Sequence, residues 1–185
     1  MIELKTPMLD LLPGYVDALQ RAWTPDHIIG LSAATEQLEA IARDAAGFIA
    51  RQTNLAAIGD PVTLPDGSQV QRIPGRQFWI WDDGFFGRLS IRWQPGTAAL
   101  PPHVLGHVGY SVASWKRGQG YATEAVRLVL PYARDQGLPY VELTTDPENL
   151  ASQRVIAANG GVLIEAFTKP AAFGSTPGLR YRIPL

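Results

Sequence analysis

His107-Val108-Gly109-Tyr110-Ser111-Val112-Ala113-Ser114-Trp115-Lys116-Arg117-Gly118-Gln119-Gly120-Tyr121-Ala122 runs a predicted strand into a glycine-punctuated turn and then into a helix. That order builds an anion site. Gly118 and Gly120 let the main chain approach a bulky anion closely, and the first N–H groups of the helix have no partner inside it and point outward. Arg117 adds a full positive charge at the mouth of the turn and offers charge-assisted hydrogen bonds to phosphate oxygens. A pyrophosphate matches this shape and charge. Two other phosphate-binding loops do not fit, because the P-loop ends in Gly-Lys-Ser/Thr and the dinucleotide fingerprint reads Gly-x-Gly-x-x-Gly.

Downstream of the turn, Ala122, Ala125, Val126, Val129, Leu130 and Ala133 recur at three-and-four spacing, the pattern of a helix with one buried stripe, and Gly137 is its natural stop. Pro131 interrupts the pattern and predicts a kink or a weakened last turn. Residues 140–145, Tyr-Val-Glu-Leu-Thr-Thr, read as a central strand, and Asp146-Pro147 turns the chain. Residues 149–161 form a helix bounded by Asn149 as a capping residue and by Gly160-Gly161 as a stop. The ending Leu179-Arg180-Tyr181-Arg182-Ile183 alternates as a final strand.

Arg117-Gly118-Gln119-Gly120-Tyr121-Ala122 resembles the Arg-x-x-Gly-x-Ala/Gly signature of the GNAT N-acetyltransferase superfamily, whose members hold the pyrophosphate of acetyl-coenzyme A there. The order of helix, strand, Asn-led helix and terminal hairpin after the turn is also that of the family. The resemblance covers residues 85–161 well, and residues 1–76 only in outline. It implies a single α/β domain with a mixed, mostly antiparallel sheet splayed between two strands and helices on both faces. It implies acetyl-CoA as acyl donor, without a metal, held by Arg117, Gly118, Gln119, Gly120, Tyr121 and Ala122. Asn149 and Ser152 fall in the second family motif, along the pantetheine arm; Asn149 alone would read simply as a helix cap. The strand at 104–113 is then expected to splay from that at 140–145 at a bulge suited to Gly106 and Gly109, with Ser111 and Val112 offering backbone contacts to the pantetheine. Residues 106–112, with Asn159-Gly160-Gly161, resemble more narrowly a bacterial group described only as predicted acetyltransferases, which brings no substrate.

The reaction so implied is direct attack of a neutral amine on the acetyl thioester, which requires a proton to leave an ammonium of ordinary pKa about 10.4 and an oxyanion to be stabilised. His107 is the candidate base, because imidazole is substantially neutral at pH 7; it reads equally well as a strand histidine satisfied by local hydrogen bonds. His103 and His27 are weaker candidates. Family members commonly supply an acid from a tyrosine seven residues after the Asn, but counting from Asn149 reaches Ile156. Either Tyr110 or Tyr121 serves, or the thiolate leaves without a protein acid, since a thiol is acidic enough to depart as its anion. Glu142 and Glu124 read as ordinary solvated positions. The acceptor is open among small-molecule amines, amino acids, antibiotics and protein amines. A non-catalytic acyl-CoA-binding or sensing domain is the alternative, and a plain strand–helix connection the third reading.

Composition bounds the rest. The 185 residues suit one domain with a substantial core, read as an acceptor-side portion (1–76), a core carrying the cofactor motifs (77–168) and a final strand (169–185). A net charge of −1 without like-charge blocks predicts neither a nucleic-acid nor a membrane partner, and leaves monomer and homodimer both open. No cysteine means no disulfide, thiolate nucleophile or cysteine metal site, and the first residues lack a basic-then-apolar signal segment, so the expected location is cytoplasmic. Residues 9–22 and 32–51 read as helices around a Thr24-Pro25-Asp26 turn, and the proline- and glycine-rich 53–76 as loops or a short hairpin. Residues 77–82 and 85–93 read as strands about Asp83-Gly84, with Leu89, Ile91 and Trp93 alternating against Arg88, Ser90 and Arg92. The many aromatics of 78–93 fill a core or wall a pocket, and Asp82 and Asp83 suit a cationic amine or simply a turn.

Overall fold

The structure, a computed structural model, describes residues 1–25, 30–64 and 66–185. Asp26 of the expected turn and His27 lie outside the described residues. In chain order the elements are β1 (Glu3–Lys5), α1 (Leu12–Gln20), α2 (Leu31–Arg43), α3 (Ala45–Ala50), β2 (Thr53–Asn54), β3 (Val62–Thr63), β4 (Gln69–Val70), β5 (Gly75–Trp81), β6 (Phe85–Arg92), β7 (Val108–Val112), α4 (Tyr121–Asp135), β8 (Tyr140–Thr145), α5 (Leu150–Ala158), β9 (Val162–Thr168) and β10 (Pro177–Pro184). One sheet has the order β1-β5-β6-β7 with β2 beside β5; a second has the order β8-β10-β9; β3 and β4 form a hairpin of their own. β7 and β8 thus belong to different sheets.

The elements largely follow local chemistry. The expected helix over 32–51 is divided at Asp44, whose extended backbone ends α2 and whose carboxylate accepts from the Gly47 N–H at 2.8 Å to start α3. α4 runs through Pro131 to Asp135, and Pro131 lies on its exposed side, where the missing N–H and the ring disturb no packed neighbour. The strand expected over 104–113 is confined to β7, because prolines 101 and 102 and the approach at Gly106 keep its first half irregular. β1 has no counterpart among the expected elements; three residues carry too little periodicity to announce a strand.

The chain divides into two compact units, one of residues 1–53, 76–90 and 110–125, the other of residues 54–75, 91–109 and 126–185. In the first, Tyr15 stacks on Trp79 at a centroid distance of 4.9 Å and meets Phe85 edge-on at 5.0 Å, while Trp23 meets Phe85 at 4.9 Å. These rings, with Leu12, Leu19 and Phe48, are the core. Phe78, Trp79 and Ile80 are all buried, so both faces of β5 are covered. The aromatic run is core, and burial of such rings drives this unit's folding. In the second unit, Ile91 and Trp93 of the alternating strand are buried, as are Val126, Val129 and Ala133 along α4, Val141 and Leu143 on β8, Ile156 on α5 and Ile183 on β10.

Candidate functional site

The glycine turn lies within the first unit. After β7 a single 3-10 turn over Ser114–Lys116 leads to Arg117 and, through Gly118-Gln119-Gly120, to α4. Several contacts fix it. Arg21 covers the Trp115 ring at 3.8 Å, Lys116 Nζ sits 3.8 Å over the Phe86 ring, and Tyr121 packs on Phe86 at 4.8 Å. Gly118 and Gly120 have φ of +73° and +81°, the left-handed region that suits glycine, and a Cβ on either would meet no protein atom within 4 Å. Conformation rather than crowding therefore requires both. Arg117 is exposed, and its Nε donates to the Val112 carbonyl at 3.2 Å, which anchors the base of its guanidinium fork. Gly120 accepts the Glu124 N–H at 3.0 Å, so the N–H groups of Tyr121 and Ala122 stand in the first turn of α4, before the helical ladder begins. The donor set suits a diphosphate: main-chain amides, a helix N-terminus and one guanidinium.

Along β7 the two residues expected to offer backbone contacts are not equivalent. A Cβ on Gly87 would lie 2.3 Å from the Ser111 carbonyl oxygen, and the Ala113 N–H donates to Phe86 O at 2.9 Å, so 111 and 113 turn their backbone toward β6. By strand alternation, 110 and 112 turn theirs to the opposite edge. Ser111 Oγ accepts from Trp23 Nε1 at 3.1 Å and donates to the Thr24 carbonyl at 3.2 Å. Ser111 is thus tied by its side chain to the segment that follows α1.

The remaining candidates lie within the second unit. Asn149 is the N-cap of α5, its Oδ1 accepting from the Ser152 N–H at 3.0 Å, which is the capping role its position announces. Ile156 is fully buried, and a Cβ on Gly161 would meet its Cγ2 at 2.3 Å, so the place of the family tyrosine is filled by core. Glu142 is 8 % exposed rather than solvated: Arg182 Nη2 donates to its Oε1 at 2.7 Å, and Arg180 Nη1 lies 3.6 Å from Oε2. The signal for this was the antiparallel register, which sets Arg182 opposite Glu142 and Arg180 opposite Thr144.

His107 is fully buried. Its N–H donates to Glu142 O at 2.7 Å, its Nδ1 accepts from the Glu142 N–H at 2.9 Å, and its carbonyl accepts from the Arg92 N–H at 2.9 Å. Burial pushes its pKa below the ordinary 6.5, against the pull of Glu142 and the Ala98 carbonyl and with the push of Arg92 and Arg182. The imidazole is therefore neutral, with Nδ1 engaged and the proton on a buried Nε2. Among the described residues no group of three or more His, Asp or Glu is placed to hold a metal ion, and no helix is long and apolar enough to cross a membrane.

The model of the acetyltransferase (GNAT) domain matches residues 21–162. No curated protein matches the sequence. Among solved structures, the chain is similar to an acetyltransferase from Salmonella typhimurium that modifies the N-terminal serine of the ribosomal protein L7/L12, with a TM-score of 0.64 and 15% identity over 100% of this chain and 95% of that one. It is similar also to a GNAT-family acetyltransferase from Bacillus anthracis, with a TM-score of 0.64 and 16% identity over 99% and 94% of the two chains. The microcin C7 self-immunity acetyltransferase, in complex with acetyl-CoA and AMP, has a TM-score of 0.57 and 13% identity over 100% and 92%. Matched over most of its length by the domain model, and sharing the fold of these enzymes, the chain belongs to the GNAT acetyltransferase family.

Proposed function

We propose that the protein transfers the acetyl group of acetyl-CoA to a primary amine of a small molecule or peptide. One observation carries this reading: the turn at 117–121 presents an anchored guanidinium, two left-handed glycines and the start of a 15-residue helix in one place. The donor's diphosphate is held by Arg117 and by the main chain of Gly118, Gln119, Gly120, Tyr121 and Ala122. Its pantetheine amides pair with main chain at Val112, and Tyr110 takes the part that the sequence had suggested for Ser111. Asn149 and Ser152 are assigned to the same arm from the second family motif, with the Asn149 cap keeping the start of α5 in place.

Acetyl-CoA supplies an activated acyl thioester; the chain supplies aim. The amine arrives as an ammonium and must lose a proton before it attacks, and the thiolate departs without a protein acid, consistent with the buried Ile156. His107, the candidate base, is not the group that takes it in this reading, since Nδ1 accepts the Glu142 amide and the buried Nε2 already carries the ring's proton; the amine's proton leaves to water. The buried Ile156 is also the observation that favours a binding or sensing domain on the same fold, in a cytoplasmic protein. Thiol release from acetyl-CoA across a panel of amines and peptide N-termini separates the two: amine-dependent release supports transfer, and donor binding without release from any amine supports sensing. Absence of donor binding refutes both.

A further inference from the structure

We propose that His107, the residue before β7, is a positioning residue that limits the chain's pairing with β8 to one hydrogen-bonded step, its imidazole standing where a main-chain acceptor would be. In a continued ladder a residue gives both its N–H and its C=O to the same neighbouring strand. His107 does not: its N–H goes to Glu142 O, while its C=O accepts from Arg92 of β6. The Glu142 N–H would then be a buried donor without a strand partner, and Nδ1 receives it at 2.9 Å. One residue thus closes the junction from both sides, and beyond it β7 and β8 enter different sheets.

The surroundings hold this arrangement. Gly106 lies so close to β8 that a Cβ there would be 2.9 Å from Glu142 O and 3.3 Å from Leu143 Cα. The Glu142 carboxylate is clamped by Arg182 and Arg180, and Arg182 in turn covers the Tyr140 ring at 3.9 Å. Tyr140 meets the imidazole edge-on at 6.1 Å. The charged and titratable groups about His107 are Glu142, Arg92, Arg182 and Tyr140, and burial keeps the ring neutral, as acceptance at Nδ1 requires. The inference rests on the acyl-transfer reading for its purpose, since the strand freed at this step is the one assigned to the pantetheine, but its geometry stands independently.

Asparagine carries an acceptor oxygen one bond from Cγ, where Nδ1 stands, and has no basic nitrogen. The test compares wild type, His107→Ala and His107→Asn by amide exchange at Glu142 and by acetyl-CoA-dependent thiol release over pH. Expected is exchange at Glu142 faster by about tenfold or more in His107→Ala, with turnover reduced. His107→Asn should recover both, with the acid limb of the pH profile where wild type has it. Should His107→Ala not fold, a folded His107→Asn with turnover and the wild-type acid limb supports the proposal. The proposal is overturned if Glu142 stays protected in His107→Ala, or if His107→Asn protects Glu142 yet turns over no better than His107→Ala or than background. Wild type without turnover from any amine would remove acyl transfer, and the exchange measurement would still decide the junction.

Discussion

The glycines of the turn at 117–121 and the glycine before His107 are required for opposite reasons. At Gly118 and Gly120 space is open and the backbone angle is demanding; at Gly106 the backbone is ordinary and the space is gone. The first region is an exposed presentation of amides and charge, built from local turn chemistry. The second is a buried junction made by residues 35 apart in sequence. In the proposed reading binding belongs to a short local segment, whereas the hydrogen bonds at His107 are set by a long-range contact.

Substitutions break this contrast in order of size. Gly106→Val should cost most, about 3 kcal/mol and a Tm fall of roughly 6–12 °C, because neither Glu142 O nor Leu143 Cα is a flexible chain end that can yield; a melting curve near wild type would mean the strands separate cheaply. Gly118→Ala should cost about 1 kcal/mol from its left-handed angle, and Gly118→Asn less, since asparagine tolerates that region. Chemical denaturation with both substitutions equally costly would point to crowding instead. A smaller effect is pH-dependent. With a folded-state pKa below 6.5, His107 binds protons more readily when unfolded, so its contribution to stability is full above pH 6.5 and declines as pH falls toward the lowered value. Denaturation midpoints of wild type and His107→Asn should therefore converge on acidification. Parallel midpoints from pH 7 to 5 would show that the ring does not titrate differently on folding. Arg117→Ala should change stability least, within about 0.5 kcal/mol, because the side chain is exposed and is held by a hydrogen bond to the Val112 carbonyl.

The same contrast explains what could be read in the chain beforehand. The turn, α4, β8 and the Asn149 cap were legible because each is written in neighbouring residues: positive-φ glycines, helical spacing, β-branched alternation, a capping amide. Glu142 was misread as solvated because its partners, Arg180 and Arg182, are set opposite only once β10 pairs with β8. Ser111 and Val112 read alike in the sequence, although alternation gives adjacent residues opposite edges and only the packing at Gly87 says which edge is which. The reciprocal bonds of His107 and Glu142 have no local signature at all, since a histidine before a strand announces neither a base nor a substitute for main chain.

The central claim, that the amides after Arg117 hold a diphosphate, is tested most directly by calorimetric titration of acetyl-CoA into wild type, Arg117→Ala and Gly120→Val, with folding checked by circular dichroism. Wild type should bind, and each substitution should weaken binding by about tenfold or more, one by removing a charged hydrogen bond and the other by forcing the turn out of its left-handed angle. Equal affinity in all three folded proteins would contradict the assignment.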